Sequence, residues 1–521
     1  MSASLKESLS YEPRELKFGT SGRRGLVVDL TQLEIYINAL AEVEYLQTLS
    51  AADGGIVRGD AFYIGFDLRP SSPRLGQAVV QAVRDAGMEP VNLGRLPTPA
   101  LTYFALLQGK GSIMVTGSHI PFDRNGYKLN TARGELLKKH ETPINAAVQA
   151  VRGKVYGQPF AESGFDASGA MQTPPAVPEA IEDGLVAYTN RYVEFFAGGS
   201  LAGARLLVYQ HSAVGRDLLA DLLQRLGAEV VPCGRSETFV PIDTENIDAE
   251  QLAAIQALAD EHPGAFAVVS TDGDSDRPLL LGVDANNRVQ FFGGDLLGMI
   301  VADYLGADAV VVPISSNDAI DRGKLAPVLE PKTKIGSPFV IEGMERACAK
   351  GRKVVCGWEA NGGFLTGSDI WREGAVLKAL PTRDAVLPLL CALFAARGRG
   401  VSLGELLAEL PKRFSKAALL KNYPRETSRK VVEFFSPPRD EGAIRAELEG
   451  ILGSAVARLD YTDGVRVILE NGEVVHFRPS GNADEFRIYA VADTQARADA
   501  WAARGVAEPD GILRRLEKAV Q

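Results

Sequence analysis

Residues 61–95 and 205–235 repeat one order of elements, and that repetition restricts the fold more than any other property of the chain. The first stretch opens AFYIGFDLRP and closes VVQAVRDAGMEPVNLGR; the second reads RLLVYQHSAVGRDLLADLLQRLGAEVVPCGR. Each is an apolar strand, a turn, an amphipathic helix and a second strand. Gly87 and Gly227 follow the two helices at the place where a left-handed residue ends a helix without a Cβ penalty. Both second strands run into a Gly-Arg pair, Gly94-Arg95 and Gly234-Arg235. The apolar run from Ala309 to Pro313, followed by Ser315, Ser316 and Asn317, opens a looser third copy. Strands alternating with helices predict parallel or mixed sheets packed between helices, in units related by duplication.

Length and composition set outer bounds. At 521 residues the chain has room for roughly three domains, a number that the repeats and the loops below raise to four. Its 46% hydrophobic content excludes disorder and small disulfide scaffolds. A net charge of −10 argues against nucleic acid as a partner, yet it is compatible with a small anionic ligand where basic groups gather locally. No apolar run is long enough for a membrane span. The N-terminal MSASLKESLSYEPREL lacks the layout of a signal peptide, so a cytoplasmic location is expected. Cys233, Cys348, Cys356 and Cys391 are few and widely spaced, which predicts free thiols and neither disulfides nor structural zinc. Residues 157–179, rich in Gly, Ser and Pro, read as a linker. Near the C-terminus, apolar runs flank Asn471-Gly472 as in a β-hairpin, with helical stretches over 428–435 and 494–504. These form a small α+β unit.

Four loops carry the chemistry. TGSHIPFDRNGYK, Thr116 to Lys128, leaves the end of an apolar strand and offers a hydroxyl (Ser118), an imidazole (His119) and a cation (Lys128). On chemistry alone it fits a nucleophile loop and an ordinary polar loop equally. STDGDSDRP, Ser270 to Pro278, follows another apolar strand. In an extended loop its alternating Asp272, Asp274 and Asp276 would point to one side, where three carboxylates repel unless a hard cation such as Mg²⁺ neutralises them. An EF-hand is excluded, because Arg277 stands where Gly is required and Val283 where Glu is required. GWEANGGF places Glu359 and Asn361 in a Gly-rich loop, either to bond vicinal hydroxyls or as a simple turn. RPSGNADEFR supplies the guanidinium of Arg478, with Ser480, Gly481 and Asn482 in a turn suited to phosphate; an ordinary polar turn fits that segment as well.

In this order, and with the opening Phe18-Gly-Thr-Ser-Gly-Arg-Arg-Gly25, the four loops resemble the α-D-phosphohexomutase superfamily over about residues 17–490. The spelling RPSGNA with a following FRIY is most similar to bacterial phosphomannomutases and phosphoglucomutases. The resemblance implies four domains around a central cleft, three duplicated α/β domains with mixed sheets plus a C-terminal α+β domain. The boundaries expected on this basis are 1–165, 166–290, 291–408 and 409–521. It implies a phosphoserine at Ser118 and interconversion of hexose 6-phosphate and hexose 1-phosphate, mannose favoured over glucose or glucosamine, through a bisphosphorylated sugar. Mg²⁺ on Asp272, Asp274, Asp276 and Ser118, and hexose 1,6-bisphosphate as primer, are implied with it. Ser118, His119, Lys128 and Arg24 become the catalytic group. Arg277, Lys334, Gly336, Glu359, Asn361, Arg478, Ser480, Gly481, Asn482 and Arg487 become the substrate-binding group.

The chain departs from the family pattern at Gly117 (usually Ala), Ile120 (usually Asn), Asn361 (often Ser) and Gly363 (often His), and Ser337 stands where some members carry His. Ser21 reads as a structural turn, the remaining histidines as hydrogen-bonded or surface groups, and Trp358 as packing. A haloacid-dehalogenase-type phosphotransferase fails because the fifth position of its Asp-x-Asp motif would be Asp276 or Pro278. A non-catalytic sugar-phosphate-binding protein on this fold would have lost the serine or the carboxylates, and both are present.

Overall fold

Each repeat folds as a strand, a helix and a parallel strand. The first comprises Ala61–Phe66, Ser72–Asp85 and Glu89–Arg95; the second comprises Arg205–His211, Arg216–Arg225 and Glu229–Arg235. Leu75, Val79 and Val83 give the first helix its buried face, as Leu219, Leu222 and Leu223 do for the second. Gly87 and Gly227 end these helices at φ +75° and +93°, and Gly94 and Gly234 are also left-handed. This computed structural model describes residues 3–19, 22–245, 247–480 and 484–520. Ser21, Gly481 and Asn482 lie outside the described residues.

The duplication extends through whole sheets. In the first, the order is Arg23–Leu26, Arg124–Thr131, Ser112–Val115, Ala61–Phe66, Glu89–Arg95. In the second it is Val289–Phe291, Pro278–Val283, Ala267–Thr271, Arg205–His211, Glu229–Arg235. In both, the last three strands are mutually parallel and the first two join antiparallel. The third sheet repeats the path in shortened form: Leu380–Asp384, Phe364–Thr366, Val355–Trp358, Ala309–Val311, with only parallel bridges from Val310 to Leu329 and Pro313 to Thr333 at the outer edge. The fourth sheet is an antiparallel meander with one long return, Val456–Asp460, Val465–Leu469, Val474–Pro479, Glu485–Ala492 and Phe414–Lys421. Its expected hairpin turns at Gly472, φ +80°.

The first three sheets share apolar packing. Leu93, Tyr188, Leu206, Val269, Leu280, Trp358 and Phe394 belong to one continuous buried cluster, whereas the fourth sheet packs its own core around Phe435, Phe477 and Phe486. Each fully buried side chain of this size stabilises by about 1.5–3 kcal/mol. Trp358 stacks on Phe364 at 5.7 Å inside that cluster, so it packs as expected. The stretch 157–179 is irregular but is no free linker. Phe165 and Met171 are buried in the core of the first unit, and Gly169 O accepts from Leu33 N. The four cysteines are free thiols. Among the described residues no helix is long and apolar enough to cross a membrane.

Two buried histidines couple the fold to pH. His211 Nε2 meets Thr271 O at 2.8 Å and His476 Nε2 meets Asp463 O at 2.6 Å; burial pulls each imidazole down to about 4. Unfolded histidine protonates near 6.5, so keeping these rings neutral costs nothing above that pH and progressively more as pH falls toward 4. Each is expected to withdraw about 3 kcal/mol of stability over that window. Chemical denaturation of His211→Gln and His476→Gln, which retain a side-chain N–H donor but do not titrate, should show a flatter pH dependence than the parent chain; an identical slope would refute the assignment.

Candidate active site

The duplicated topology brings the first three chemical loops together. The loop holding Ser118 joins Ser112–Val115 to the antiparallel Arg124–Thr131. The loop with the three aspartates joins Ala267–Thr271 to Pro278–Val283, and the loop with Glu359 joins Val355–Trp358 to Phe364–Thr366. They are one and the same connection in three copies, each leaving the carboxyl end of a central strand, where open α/β sheets place ligand sites.

Ser118 is fully buried and stands at φ +53°, a left-handed turn that swings its hydroxyl off the strand. Its Oγ donates to Asp272 Oδ2 at 3.0 Å and lies 3.4 Å from His119 Nδ1. Thr116 Oγ1 accepts from Ser118 N, and the Arg69 guanidinium donates to the carbonyls of Ser118, Ile120, Pro121 and Arg124. Gly117 is required by this clamp, because a Cβ there would lie 2.6 Å from Arg69 Cζ. At Ile120 the chain contributes a carbonyl to Arg69, which needs no particular side chain.

The aspartates converge, but not through an extended loop. Ser275 N donates to Asp272 O and Ser275 is left-handed at φ +57°, so the segment is a tight turn. One oxygen from each of Asp272, Asp274 and Asp276 lies within 4.8 Å of the others. Lys128 Nζ donates to Asp274 Oδ2 at 2.6 Å and to Asp276 Oδ2 at 2.5 Å. Burial, then repulsion from Asp274 and Asp276, drives the Asp272 carboxyl well above the carboxylate range. Burial opposes charge on Asp276 too, but Arg383, Lys128 and Arg277 outweigh it and hold that group low. Asp274 Oδ1 and Asp276 Oδ1 are buried without a hydrogen-bond partner. Buried oxygens of this kind are expensive unless satisfied, and an all-oxygen set suits a hard divalent cation. The residues present therefore fit a metal.

Cations crowd the same place. Burial, followed by Arg277 and only partly relieved by Asp274, pulls the Arg24 guanidinium down to about 10. Burial and the charges of Arg277 and Arg24 also keep His119 neutral, well below its usual value. Mutually repelling guanidinium groups beside a serine hydroxyl define a site that favours an anion.

Two further loops belong to the expected site. Gly336, φ +128°, leads into the helix Ser337–Ala349, and Lys334 is exposed with Nζ 6.0 Å from the Phe339 ring. Arg478 Nε donates to Asp463 Oδ2 at 2.8 Å, and Arg487 pairs with Glu485 at 3.0 Å. Ser480 is buried, its N–H on Glu485 O. Glu245 interacts electrostatically with both Arg277 and Arg487, which ties the metal loop to this strand pair. Asp484 Oδ1 accepts from Arg425 N at 3.4 Å and lies 3.6 Å from Arg425 Nε. Asn361 Oδ1 accepts Gly363 N at 3.0 Å within its own loop, which fixes the orientation of the carboxamide.

Sequence reasoning missed Arg383. Its side chain is 2% exposed, and the guanidinium donates to Asp276 Oδ2 at 3.0 Å, Ser337 Oγ at 3.0 Å and Glu359 Oε2 at 3.2 Å. Ser337 in turn donates to Glu135 Oε2 at 2.6 Å, so residues of the first three sheets and their loops meet at one fork. The available signal was a charged pair, Arg383-Asp384, inside the run from Ala379 to Leu390, which is otherwise apolar but for Thr382.

Comparison with known proteins agrees with this geometry. Residues 15–153 match the model for phosphoglucomutase/phosphomannomutase alpha/beta/alpha domain I, and residues 293–414 match that for domain III. The chain is 38% identical to a phosphomannomutase of Sinorhizobium fredii over 94% of its length and 98% of that protein. It belongs to the phosphoglucomutase/phosphomannomutase family. A phosphomannomutase of Salmonella muenchen is 36% identical, covering 93% of both chains. The Aspergillus fumigatus N-acetylphosphoglucosamine mutase solved with GlcNAc-6P and magnesium shares the fold, with a TM-score of 0.55 at 15% identity over 99% of this chain and 98% of that one. As a family member the chain is an enzyme, a phosphotransferase-type isomerase of hexose phosphates. Gly363 makes room for Arg383: a Cβ there would lie 2.6 Å from Arg383 Cγ and Cδ, so the arginine stem fills that space.

Proposed function

We propose that this enzyme is a phosphomannomutase that interconverts hexose 6-phosphate and hexose 1-phosphate through a phosphoserine at Ser118. The observation that carries the reading is the Ser118 hydroxyl, turned off its strand to within 3.0 Å of a buried triad of carboxylates. A hexose monophosphate enters with its free hydroxyl toward phosphorylated Ser118. The P–O bond to the serine breaks as a P–O bond to the sugar forms, and the hydroxyl proton ends on the serine oxygen. The bisphosphorylated sugar then turns over in the cleft and returns its other phosphoryl group to Ser118. Hexose 1,6-bisphosphate would load the serine at the start.

Such transfers need charge neutralisation and alignment more than a strong base. Asp272, Asp274 and Asp276, with a Ser118 phosphate oxygen, would hold Mg²⁺, which when bound supplies positive charge to the transferring group. Arg24, Arg277 and Lys128 balance its remaining oxygens, with neutral His119 beside the nucleophile. Arg478, Ser480 and Arg487, together with Gly481 and Asn482, hold the phosphate that does not react. Glu359, steadied by Arg383, and Asn361, oriented by Gly363 N, bond ring hydroxyls, and Lys334 and Gly336 line the approach. In this reading the units 1–165, 166–290, 291–408 and 409–521 contribute one loop each, and the free thiols suit the cytoplasm.

Mannose is favoured by the 38% and 36% identical relatives; phosphoglucomutase and phosphoglucosamine mutase are the rival specificities. Comparing kcat/KM on mannose 1-phosphate, glucose 1-phosphate and glucosamine 1-phosphate, with Mg²⁺ and bisphosphate primer, decides among them. Mannose 1-phosphate should be turned over best. A preference for either rival by more than about tenfold, about 1.4 kcal/mol, would overturn the assignment.

A further inference from the structure

Asp463 lies on the turn between Val456–Asp460 and Val465–Leu469, outside the serine, metal, sugar and phosphate loops. One oxygen of its carboxylate, Oδ2, receives two donors at once. Arg478 Nε donates at 2.8 Å from the same sheet, and the main-chain N–H of Ile335 donates at 3.0 Å from the segment between Lys334 and Gly336. Both ionic side chains are largely enclosed, Arg478 17% and Asp463 19% exposed. The turn is held from behind as well. Asp463 O accepts from His476 Nε2 at 2.6 Å, and a Cβ at Gly464 (φ +78°) would lie 2.4 Å from Phe477 O and 3.0 Å from Arg478 Cβ. Only glycine lets the turn lie this close to the strand that bears Arg478.

We infer that Asp463 is a positioning residue that fixes the phosphate-binding arginine, Arg478, and the loop bearing Lys334 in one arrangement, so that grip on the distal phosphate and placement of Lys334 are a single event. The inference rests on the proposed reading of Arg478 as a phosphate ligand. With Nε engaged by the carboxylate, the terminal amino groups of the guanidinium are the donors an anion takes, and the fork cannot rotate without breaking the bond to Asp463. The Ile335 bond carries that constraint across to the third unit. Two residues further on, Ser337 is tied to Arg383 and thence to Asp276.

Proximity alone does not establish coupling, and a double-mutant cycle does. The experiment measures kcat and KM for mannose 1-phosphate, with Mg²⁺ and primer, in the full chain and in Asp463→Ala, Asp463→Asn, Lys334→Ala, Arg478→Ala and the double variant Asp463→Ala/Lys334→Ala. Asp463→Ala should raise KM about tenfold or more while kcat changes less than about threefold. Asp463→Asn should stay within about threefold of the parent in KM, because a single amide oxygen can accept both donors. The KM penalty of Lys334→Ala should shrink by about fivefold or more when Asp463 is already alanine.

Penalties that multiply independently, to within about twofold, overturn the inference. So does an Asp463→Asn variant as impaired as Asp463→Ala, which would mean that charge, not geometry, is what Asp463 supplies. An Arg478→Ala enzyme with unchanged KM would instead remove the phosphate-site reading itself. Thermal unfolding accompanies each variant. If Asp463→Ala melts more than about 10 °C low, Asp463→Ser, too short to reach both donors, replaces it in the cycle.

Discussion

Ser118→Ala is expected to reduce turnover by about 10⁴-fold, some 5.4 kcal/mol in barrier, while leaving the fold in place. The size follows from the chemistry: the variant loses the atom that carries the phosphoryl group, and no neighbouring oxygen can substitute, since Asp272 is turned to accept from Ser118 and from the N–H groups of Asp276 and Arg277. The fold should survive because the loop is held by its main chain. Thr116 and Arg69 bind the backbone of residue 118 and not its hydroxyl. Steady-state rates with primer, together with intact-protein mass after incubation with hexose 1,6-bisphosphate, make the check. The parent chain should gain one phosphoryl group, stable to acid as a serine ester is, and the variant none. A variant that still turns over at more than about a tenth of the parent rate would refute Ser118 as the carrier.

Asp274→Ala should weaken the metal site by about 100-fold or more, about 2.7 kcal/mol, and depress turnover at low Mg²⁺ accordingly. Asp274 Oδ1 is one of two buried triad oxygens without a hydrogen-bond partner, so removing it takes away an atom whose only evident use is a cation. The protein should tolerate the loss. Lys128 keeps Asp276 at 2.5 Å, and Thr98 loses one hydrogen bond. Calorimetric titration of Mg²⁺ measures the effect directly and independently of catalysis, and the Mg²⁺ dependence of kcat should shift in parallel. Unchanged Mg²⁺ binding would remove the aspartates from the metal site.

Much of the cleft was legible in the chain because its signals are local. The strand-turn-helix units at 61–95 and 205–235 are written in hydrophobic periodicity and in Gly87 and Gly227, and the residues that carry chemistry cluster in short loops after apolar strands. Three of those loops proved to be one connection repeated by duplication, which explains why motifs so far apart in sequence serve one site. The local geometry of the aspartate loop was not legible. Alternation suggested an extended segment, whereas Ser275 adopts a left-handed conformation that folds it into a turn.

By itself the sequence determined the repeated strand-helix-strand units, the nucleophile candidate and the carboxylate triad, since each depends on residues within a few positions of one another. Only the tertiary structure decided which distant groups meet. Arg383 reaches Asp276 across 107 positions, Lys128 reaches Asp274 across 146, and Asp463 reaches Ile335 across 128. Such pairs leave no periodic trace in the chain. The first two exist because three sheets pack through a shared core and bring the carboxyl ends of their central strands together, where a buried charge is tolerated only beside its partner; the third links the separately packed fourth sheet to that assembly.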